Sequence, residues 1–136
     1  WKESVRINEE ITVFEHDAVC VSNIPSFINY NGCVSLGAPS YGRFNTPTSL
    51  GTVSLQSKPY FPGAHGYRIK PKAAQILIDH CVLVGAKPTD VFLDVRTFPW
   101  LEEIYPWPVE AKDTFTTIQN INGIKAKHNK VEIIEA

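Results

Sequence analysis

Two acidic side chains at the end of an apolar run are the first that could do chemistry. Glu15 and Asp17 flank His16 and follow Ile11-Thr12-Val13-Phe14. In an extended chain, residues i and i+2 point to the same side, so both carboxylates can share one cation. Oxygen ligands suit Mg²⁺ or Mn²⁺, and such an ion would hold a diphosphate. A solvated acidic turn is the alternative interpretation.

A second segment places a histidine between two glycines. Gly63 and Gly66 flank His65 ahead of Tyr67, and glycines let a ligand approach the backbone closely. The alternative is a bulged strand in which His65 makes a structural hydrogen bond. A third acid, Asp90, follows Pro88-Thr89, where it could serve as a base or simply cap a helix.

Composition excludes several classes of function. The chain has 136 residues, 43% of them hydrophobic, with 13 basic against 14 acidic side chains and a formal charge of −1. We expect one globular domain over residues 1–136, large enough for a real core. The charge balance argues against nucleic acid, and no run approaches the roughly 18 apolar residues of a membrane span. Motifs of serine hydrolases, P-loop enzymes, dinucleotide-binding domains and zinc proteases are missing.

The cysteines and the missing methionine bear on context. Cys20, Cys33 and Cys81 include no C-x-x-C pair, so we predict free thiols in a reducing compartment and a cytoplasmic location. The sequence contains no methionine. We therefore expect that it lacks an upstream part.

Alternating apolar runs and turn signals predict an α/β or α+β domain. The predicted strands cover residues 11–14, 18–21 and 33–37, residues 104–109 are extended, and residues 131–134 form an edge strand. Pro71 opens a helix that ends at Gly85, because proline suits the first helical turn. A second helix begins with Thr89 or Asp90 as its N-cap and runs through Val95 to a stop at Pro99.

Residues 38–57 are rich in Pro, Gly, Ser and Thr and predict a long loop. Loops of this length in a compact domain are uncommon unless they bind something or are disordered. The side chains of Tyr41, Arg43, Phe44 and Asn45 are of the kind that grip polar ligands. A mobile surface excursion is the alternative.

Taken in order, four segments resemble the family 25 glycosyltransferases, the lipooligosaccharide-type sugar transferases. They are the strand with its acidic triplet at residues 13–19, the strand at residues 34–37, the segment at residues 63–77 and the Pro-x-Asp helix start at residues 88–93. The resemblance covers residues 11–109. This chain has His16 where the family has a middle acid.

The resemblance implies a nucleotide-sugar transferase with a GT-A-like mixed sheet flanked by helices, here the C-terminal part of the fold. It implies that Glu15 and Asp17 hold Mn²⁺ or Mg²⁺, that Glu15, His65 and Tyr67 contact the donor sugar, and that Asp90 is the catalytic base. The partners would be a nucleotide-sugar and a glycan acceptor.

The family's N-terminal part would precede Trp1, and a helix over residues 2–10 would be its last piece. An exposed sheet edge there would favour pairing between copies.

A non-catalytic carbohydrate- or protein-binding domain, or an inactive remnant, is the rival interpretation. In a binding domain, aromatic side chains would serve as stacking platforms: Tyr41, Tyr60, Phe61, Trp100 and Trp107. A transferase needs cation-dependent affinity for a nucleoside diphosphate, whereas a binding domain does not.

Overall fold

A computed structural model describes residues 1–40, 42–61 and 64–112 of the chain. Within those ranges the helices are α1 (Lys2–Ile7), α2 (Pro71–Val84) and α3 (Thr89–Phe92). The strands are β1 (Ile11–Phe14), β2 (Ala18–Cys20), β3 (Cys33–Ser35), β4 (Gly51–Ser54), β5 (Gly66–Ile69), β6 (Glu102–Tyr105) and β7 (Val109–Ala111).

Five of these strands form one mixed sheet in the order β1-β5-β3-β6-β4. Only the β3–β6 pair in it is parallel, while β2 and β7 pair antiparallel in a separate two-stranded sheet. The predicted α/β class is therefore confirmed. The carboxyl end of β1 lies beside the amino end of β5, because Phe14 pairs with Gly66.

The pairing registers align one residue from each strand in a row across the large sheet. Val13 pairs with Tyr67, Tyr67 with Ser35, Ser35 with Glu103, and Glu103 with Val53. Directly opposed residues project to the same face of a sheet. We call this line the transverse row; it joins the turn after β1 to the far edge of the sheet.

Helix α2 covers that face of the sheet. Pro71 occupies its first turn and Gly85, at φ +92°, ends it, as the sequence predicts. Ala73, Ala74 and Leu77 are buried and belong to the same apolar cluster as Cys33 and Ile69 of the sheet. The helix is thus held by one apolar stripe against the strands.

The opposite face has its own core. Val34, Leu36 and Val109 are fully buried there with Ile28 and Tyr30. Cys33 and Val34 fall into different clusters because successive strand residues point to opposite faces.

A buried arginine ties the long connection between β2 and β3 to this face of the sheet. The Arg68 Nε donates to the Thr12 hydroxyl at 2.9 Å, and its Nη1 donates to the carbonyls of Pro25 and Ser26 at 3.2 and 3.3 Å. The guanidinium group of Arg68 therefore makes structural hydrogen bonds.

The second helix is shorter than the sequence predicts. It spans Thr89–Phe92, its N-cap is Pro88, and it has no side-chain cap hydrogen bond, so the prediction of Thr89 or Asp90 as N-cap was wrong. Leu93 leaves helical geometry because its carbonyl accepts a hydrogen bond from Phe61 N–H at 2.9 Å and its side chain is fully buried. Tertiary pairing and burial end the helix before Val95.

The predicted loop over residues 38–57 contains strand β4. Its residues are Gly-Thr-Val-Ser, a polar stretch without a strand pattern, and it forms by pairing with β6 from Gly51–Tyr105 to Ser54–Glu102. Position at the sheet edge explains the polar sequence, because one side of the strand faces solvent. The predicted strand over residues 131–134 lies outside the described residues.

Other predicted elements agree more closely with the structure. The N-terminal helix, the strands at residues 11–14, 18–21 and 33–37, and the extended segment at residues 104–109 correspond to α1, β1, β2, β3 and the β6–β7 region. The three cysteines are free thiols. None of the helices in the described ranges has the length and apolar character needed to cross a bilayer.

Candidate functional site

The turn between β1 and β2 holds the two predicted metal ligands, and backbone hydrogen bonds fix it. The Glu15 N–H donates to the His65 carbonyl at 3.1 Å, and the Ala18 N–H donates to the Glu15 carbonyl at 3.0 Å. The Lys112 N–H donates to the Asp17 carbonyl at 2.7 Å. Both carboxylates are therefore carried on a turn anchored to the start of β5 and the chain after β7.

Asp17 and His65 form a buried polar pair within this anchored turn. Asp17 Oδ1 and His65 Nε2 are buried, and neither has a hydrogen-bond partner in the described part of the chain. Burial lowers the pKa of His65, and the Asp17 charge and a backbone hydrogen bond at Ala38 oppose that shift. The imidazole is therefore neutral at pH 7, and its environment includes the Asp17 carboxylate.

Tyr67, like His65, is a predicted contact of the donor sugar. Its hydroxyl accepts a hydrogen bond from Trp1 Nε1 at 3.0 Å, and its side chain is only 5% exposed. Burial raises the pKa of Tyr67 to about 12, the Trp1 hydrogen bond opposes that shift, and the charges of Cys33 and Glu15 add to it. The Glu15 carboxylate therefore acts electrostatically on the Tyr67 hydroxyl.

Asp90 lies in the first turn of α3 and is half-buried. Its neighbour Thr89 lines a cavity of about 350 Å³ together with Val13, Tyr67 and Phe92. Val13 and Tyr67 belong to the transverse row, so α3 packs over the β1 end of the sheet. The structure thus places Asp90 on the helix that borders this cavity.

The turn after β1 can hold a cation only if a bound ligand supplies further coordinating atoms. In the described ranges, no group of three or more His, Cys, Asp and Glu side chains is arranged to hold a metal ion. Mg²⁺ sites commonly use one or two carboxylates and take their other ligands from substrate phosphates and water. The unpartnered, buried Oδ1 of Asp17 is an oxygen of the required kind. Residues 15–17 form a turn and not the extended chain expected from the sequence, so a cation held there by Glu15 and Asp17 would need further oxygens from a substrate.

A larger cavity, of about 550 Å³, opens near the other edge of the sheet. One wall is formed by residues 43–45, within the segment predicted to be a loop. The other is formed by residues 55–59, which follow β4. The polar and aromatic side chains that line it are Arg43, Phe44, Asn45, Gln56, Ser57 and Lys58.

Glu103 supports this cavity from the sheet, and sequence reasoning missed it. Its side chain has no exposed surface. Oε2 accepts hydrogen bonds from the backbone N–H groups of Gln56 and Ser57 at 2.8 and 2.9 Å. Oε1 accepts from the Ser57 hydroxyl at 2.7 Å and from Trp107 Nε1 at 3.0 Å. The signal in the sequence is the period of two, because the residues two before and two after this acid are Leu101 and Tyr105.

The aromatic residues of the rival interpretation divide into core and surface. Phe61 is fully buried and offers no stacking face. Trp100 packs on the main core cluster beside Phe98, at 5.6 Å between ring centroids. Trp107 is half-buried and meets Phe44 edge-on at 5.9 Å. Tyr41 lies outside the described residues.

The predicted metal-binding and donor-binding residues thus come from two distant segments of the chain. They lie at adjoining ends of β1 and β5: Glu15, Asp17, His65 and Tyr67. Asp90 comes from a third segment. His16, between the two acids, is exposed. No family model, no curated protein and no solved structure matches this chain.

Proposed function

We propose that this chain is a sugar transferase of the family 25 glycosyltransferase kind, with a GT-A-like fold, acting on a nucleotide-sugar donor and a glycan acceptor. The observation that carries the proposal is the buried Oδ1 of Asp17, which has no hydrogen-bond partner in the described ranges and whose carboxylate acts electrostatically on His65. Buried polar atoms in folded proteins nearly always have partners, and one without a partner calls for an explanation such as an ion. The resemblance of the surrounding segments to the family supplies the kind of reaction.

In this proposal Glu15 and Asp17 hold Mn²⁺ or Mg²⁺ together with the diphosphate of the donor. The cation supplies charge neutralisation for the departing diphosphate. Backbone hydrogen bonds at Glu15 and Asp17 fix the turn that carries both carboxylates before any ligand arrives. A preorganised site needs little rearrangement when negative charge develops on the leaving group.

His65 and Tyr67 have different roles in this proposal. His65 is only 2% exposed, so it supports Asp17 from below instead of lining a sugar pocket. As a neutral imidazole it adds no positive charge that would compete with the cation. Tyr67, although only 5% exposed, lines the cavity under α3, and in this proposal the exposed part of its side chain contacts the donor sugar there.

Asp90 is the proposed base. Its carboxylate, carried on the helix that borders this cavity, would take the proton of the acceptor hydroxyl as that oxygen bonds to the sugar carbon and the bond to the diphosphate breaks. The cytoplasmic location expected from the free thiols accords with a nucleotide-sugar donor and stays a prediction.

The test is a thermal-shift titration with Mn²⁺ and UDP, added separately and together. A specific site at a hundredfold excess of ligand over Kd adds about 2.7 kcal/mol to the free energy of unfolding. We expect a shift that needs both ligands and is lost in Asp17→Asn.

The matched control is Asp79→Asn, which changes an exposed aspartate on α2 and should keep the full shift. Absence of any shift in a folded wild-type protein, or an equal shift in Asp17→Asn and wild type, would refute the proposed donor site.

A further inference from the structure

The cavity near the β4 edge has the size and lining of a ligand site. Its volume of about 550 Å³ lies within the range of roughly 300–1,000 Å³ that is common for small-molecule sites. Such sites combine an apolar or aromatic wall with a few fixed polar groups. Here the half-exposed ring of Phe44 supplies the wall, and Asn45 and Gln56 supply amide groups.

The charged groups of this cavity favour an anion. Arg43 and Lys58 both belong to the lining; Arg43 is exposed, whereas Lys58 is only 7% exposed. The buried acid behind the wall is Glu103, and four hydrogen bonds from Gln56, Ser57 and Trp107 already occupy its two oxygens. The lining thus contains two cationic residues, while hydrogen bonds hold the carboxylate of Glu103 within the sheet. Charge-assisted hydrogen bonds from such cations to a carboxylate or phosphate are stronger than those between neutral groups.

The two walls of the cavity are joined before a ligand binds. The Asn45 N–H donates to the Ser57 carbonyl at 2.9 Å, and Asn45 Nδ2 donates to the Gln56 carbonyl at 3.3 Å. Glu103 holds the N–H groups of Gln56 and Ser57 from the other side. Preorganised walls lower the cost of ordering the site on binding.

Gly42 gives the ammonium group of Lys58 its space. A Cβ at position 42 would lie 3.0 Å from Lys58 Nζ, and the φ of +73° at this residue suits glycine. On the other side, Lys58 Nζ lies 3.4 Å from the Tyr60 hydroxyl. The amine therefore lies close to the Gly42 backbone and to the Tyr60 hydroxyl.

We propose that this cavity binds an anionic sugar, a saccharide ring that carries one carboxylate or phosphate group. Arg43 and Lys58 take the anionic group, Asn45 and Gln56 bond the hydroxyls, and the ring packs on Phe44. This inference concerns binding and holds independently of catalysis. Its extension, that the acceptor of the transferase is an acidic glycan, rests on the proposed function.

The test is isothermal titration of the full chain, without Mn²⁺ or UDP, with four probes: glucuronic acid, glucose 6-phosphate, glucose and inorganic phosphate. We expect both acidic sugars to bind at least tenfold more tightly than glucose and more tightly than inorganic phosphate. The ratio of the two acidic sugars distinguishes a carboxylate from a phosphate. Equal affinity for glucose and the acidic sugars, or for phosphate and glucose 6-phosphate, would overturn the proposal, as would no binding of any probe.

Two substitutions locate the binding in the cavity. Arg43→Gln removes an exposed cation of the lining and should weaken the acidic sugars about tenfold or more, whereas glucose should bind as before. Lys72→Gln removes an exposed cation on α2 and should change nothing. Equal affinities in the two variants would exclude this cavity as the site. Because no nucleotide or metal is present, failure here is distinct from failure of the donor-site titration.

Discussion

The two ends of the sheet differ in the hydrogen bonds that a buried carboxylate oxygen receives. At the β4 edge, both oxygens of Glu103 are occupied by four hydrogen bonds from backbone, hydroxyl and indole donors. At the β1 end, Asp17 Oδ1 is buried without such a donor in the described ranges, near a histidine nitrogen in the same condition. The two acids have the same chemistry and different surroundings.

The difference separates a structural acid from one suited to a ligand. A buried carboxylate with all its hydrogen bonds made stabilises the chain that surrounds it, and removing it leaves several donors without acceptors. A buried carboxylate oxygen without donors costs stability, which an added cation or donor would recover. We therefore expect substitutions at the two acids to have opposite consequences for folding and for binding.

The largest expected effect is at Glu103. Glu103→Gln keeps the size of the side chain but replaces one acceptor oxygen by an NH₂ group facing donors. We expect a loss of about 3 kcal/mol in the free energy of unfolding, measured by urea denaturation. Glu110→Gln, at an exposed position of β7, should change it by less than about 0.5 kcal/mol. A loss at Glu103 no larger than at Glu110 would mean that its four hydrogen bonds contribute little.

We expect an intermediate loss in the free energy of unfolding when the pH is lowered. Burial lowers the pKa of His65 from 6.5, so the unfolded chain takes up a proton at a higher pH than the folded chain. The stability contributed by neutral His65 is present above pH 6.5 and is lost as the pH falls below it. Urea denaturation at a series of pH values should show a steeper acid loss in wild type than in His65→Gln. Parallel curves would contradict the assignment of His65 as a buried neutral group.

The smallest expected effect on stability is at Asp17. Asp17→Asn removes a charge that the fold leaves without donors on one oxygen, so the free energy of unfolding should stay within about 0.5 kcal/mol of wild type or rise slightly. Urea denaturation of this variant beside Glu103→Gln compares the two ends of the sheet directly. A loss at Asp17 as large as at Glu103 would remove the distinction between them.

The sequence predicts the elements that follow from local chemistry. Pro71 and Gly85 bracket α2 because their backbone preferences act within the helix itself, and the β-branched run before Glu15 predicts β1. Strand β4 is not predicted, because its polar residues become a strand only by pairing with β6. Helix α3 ends early because Leu93 pairs with Phe61, a contact that its own neighbours do not reveal.

The candidate site is predictable in its residue types but not in its pairings. The acidic pair at Glu15 and Asp17 stands out in the sequence, and so does His65 between its glycines. That Asp17 and His65 share one buried environment depends on how β1 and β5 align, which no local pattern contains. Glu103 shows the same limit, because its donors at Ser57 are 46 residues away along the chain.

The transverse row has a consequence for redesign of this protein. Ser35, fully buried at the centre of the row, separates Tyr67 of one cavity from Glu103 behind the other. A larger side chain at Ser35 would displace both neighbours, so both cavities would change shape through a single codon. By contrast, Arg43 and Lys87 line different cavities and lie outside the transverse row, so each can be exchanged without changing the other cavity.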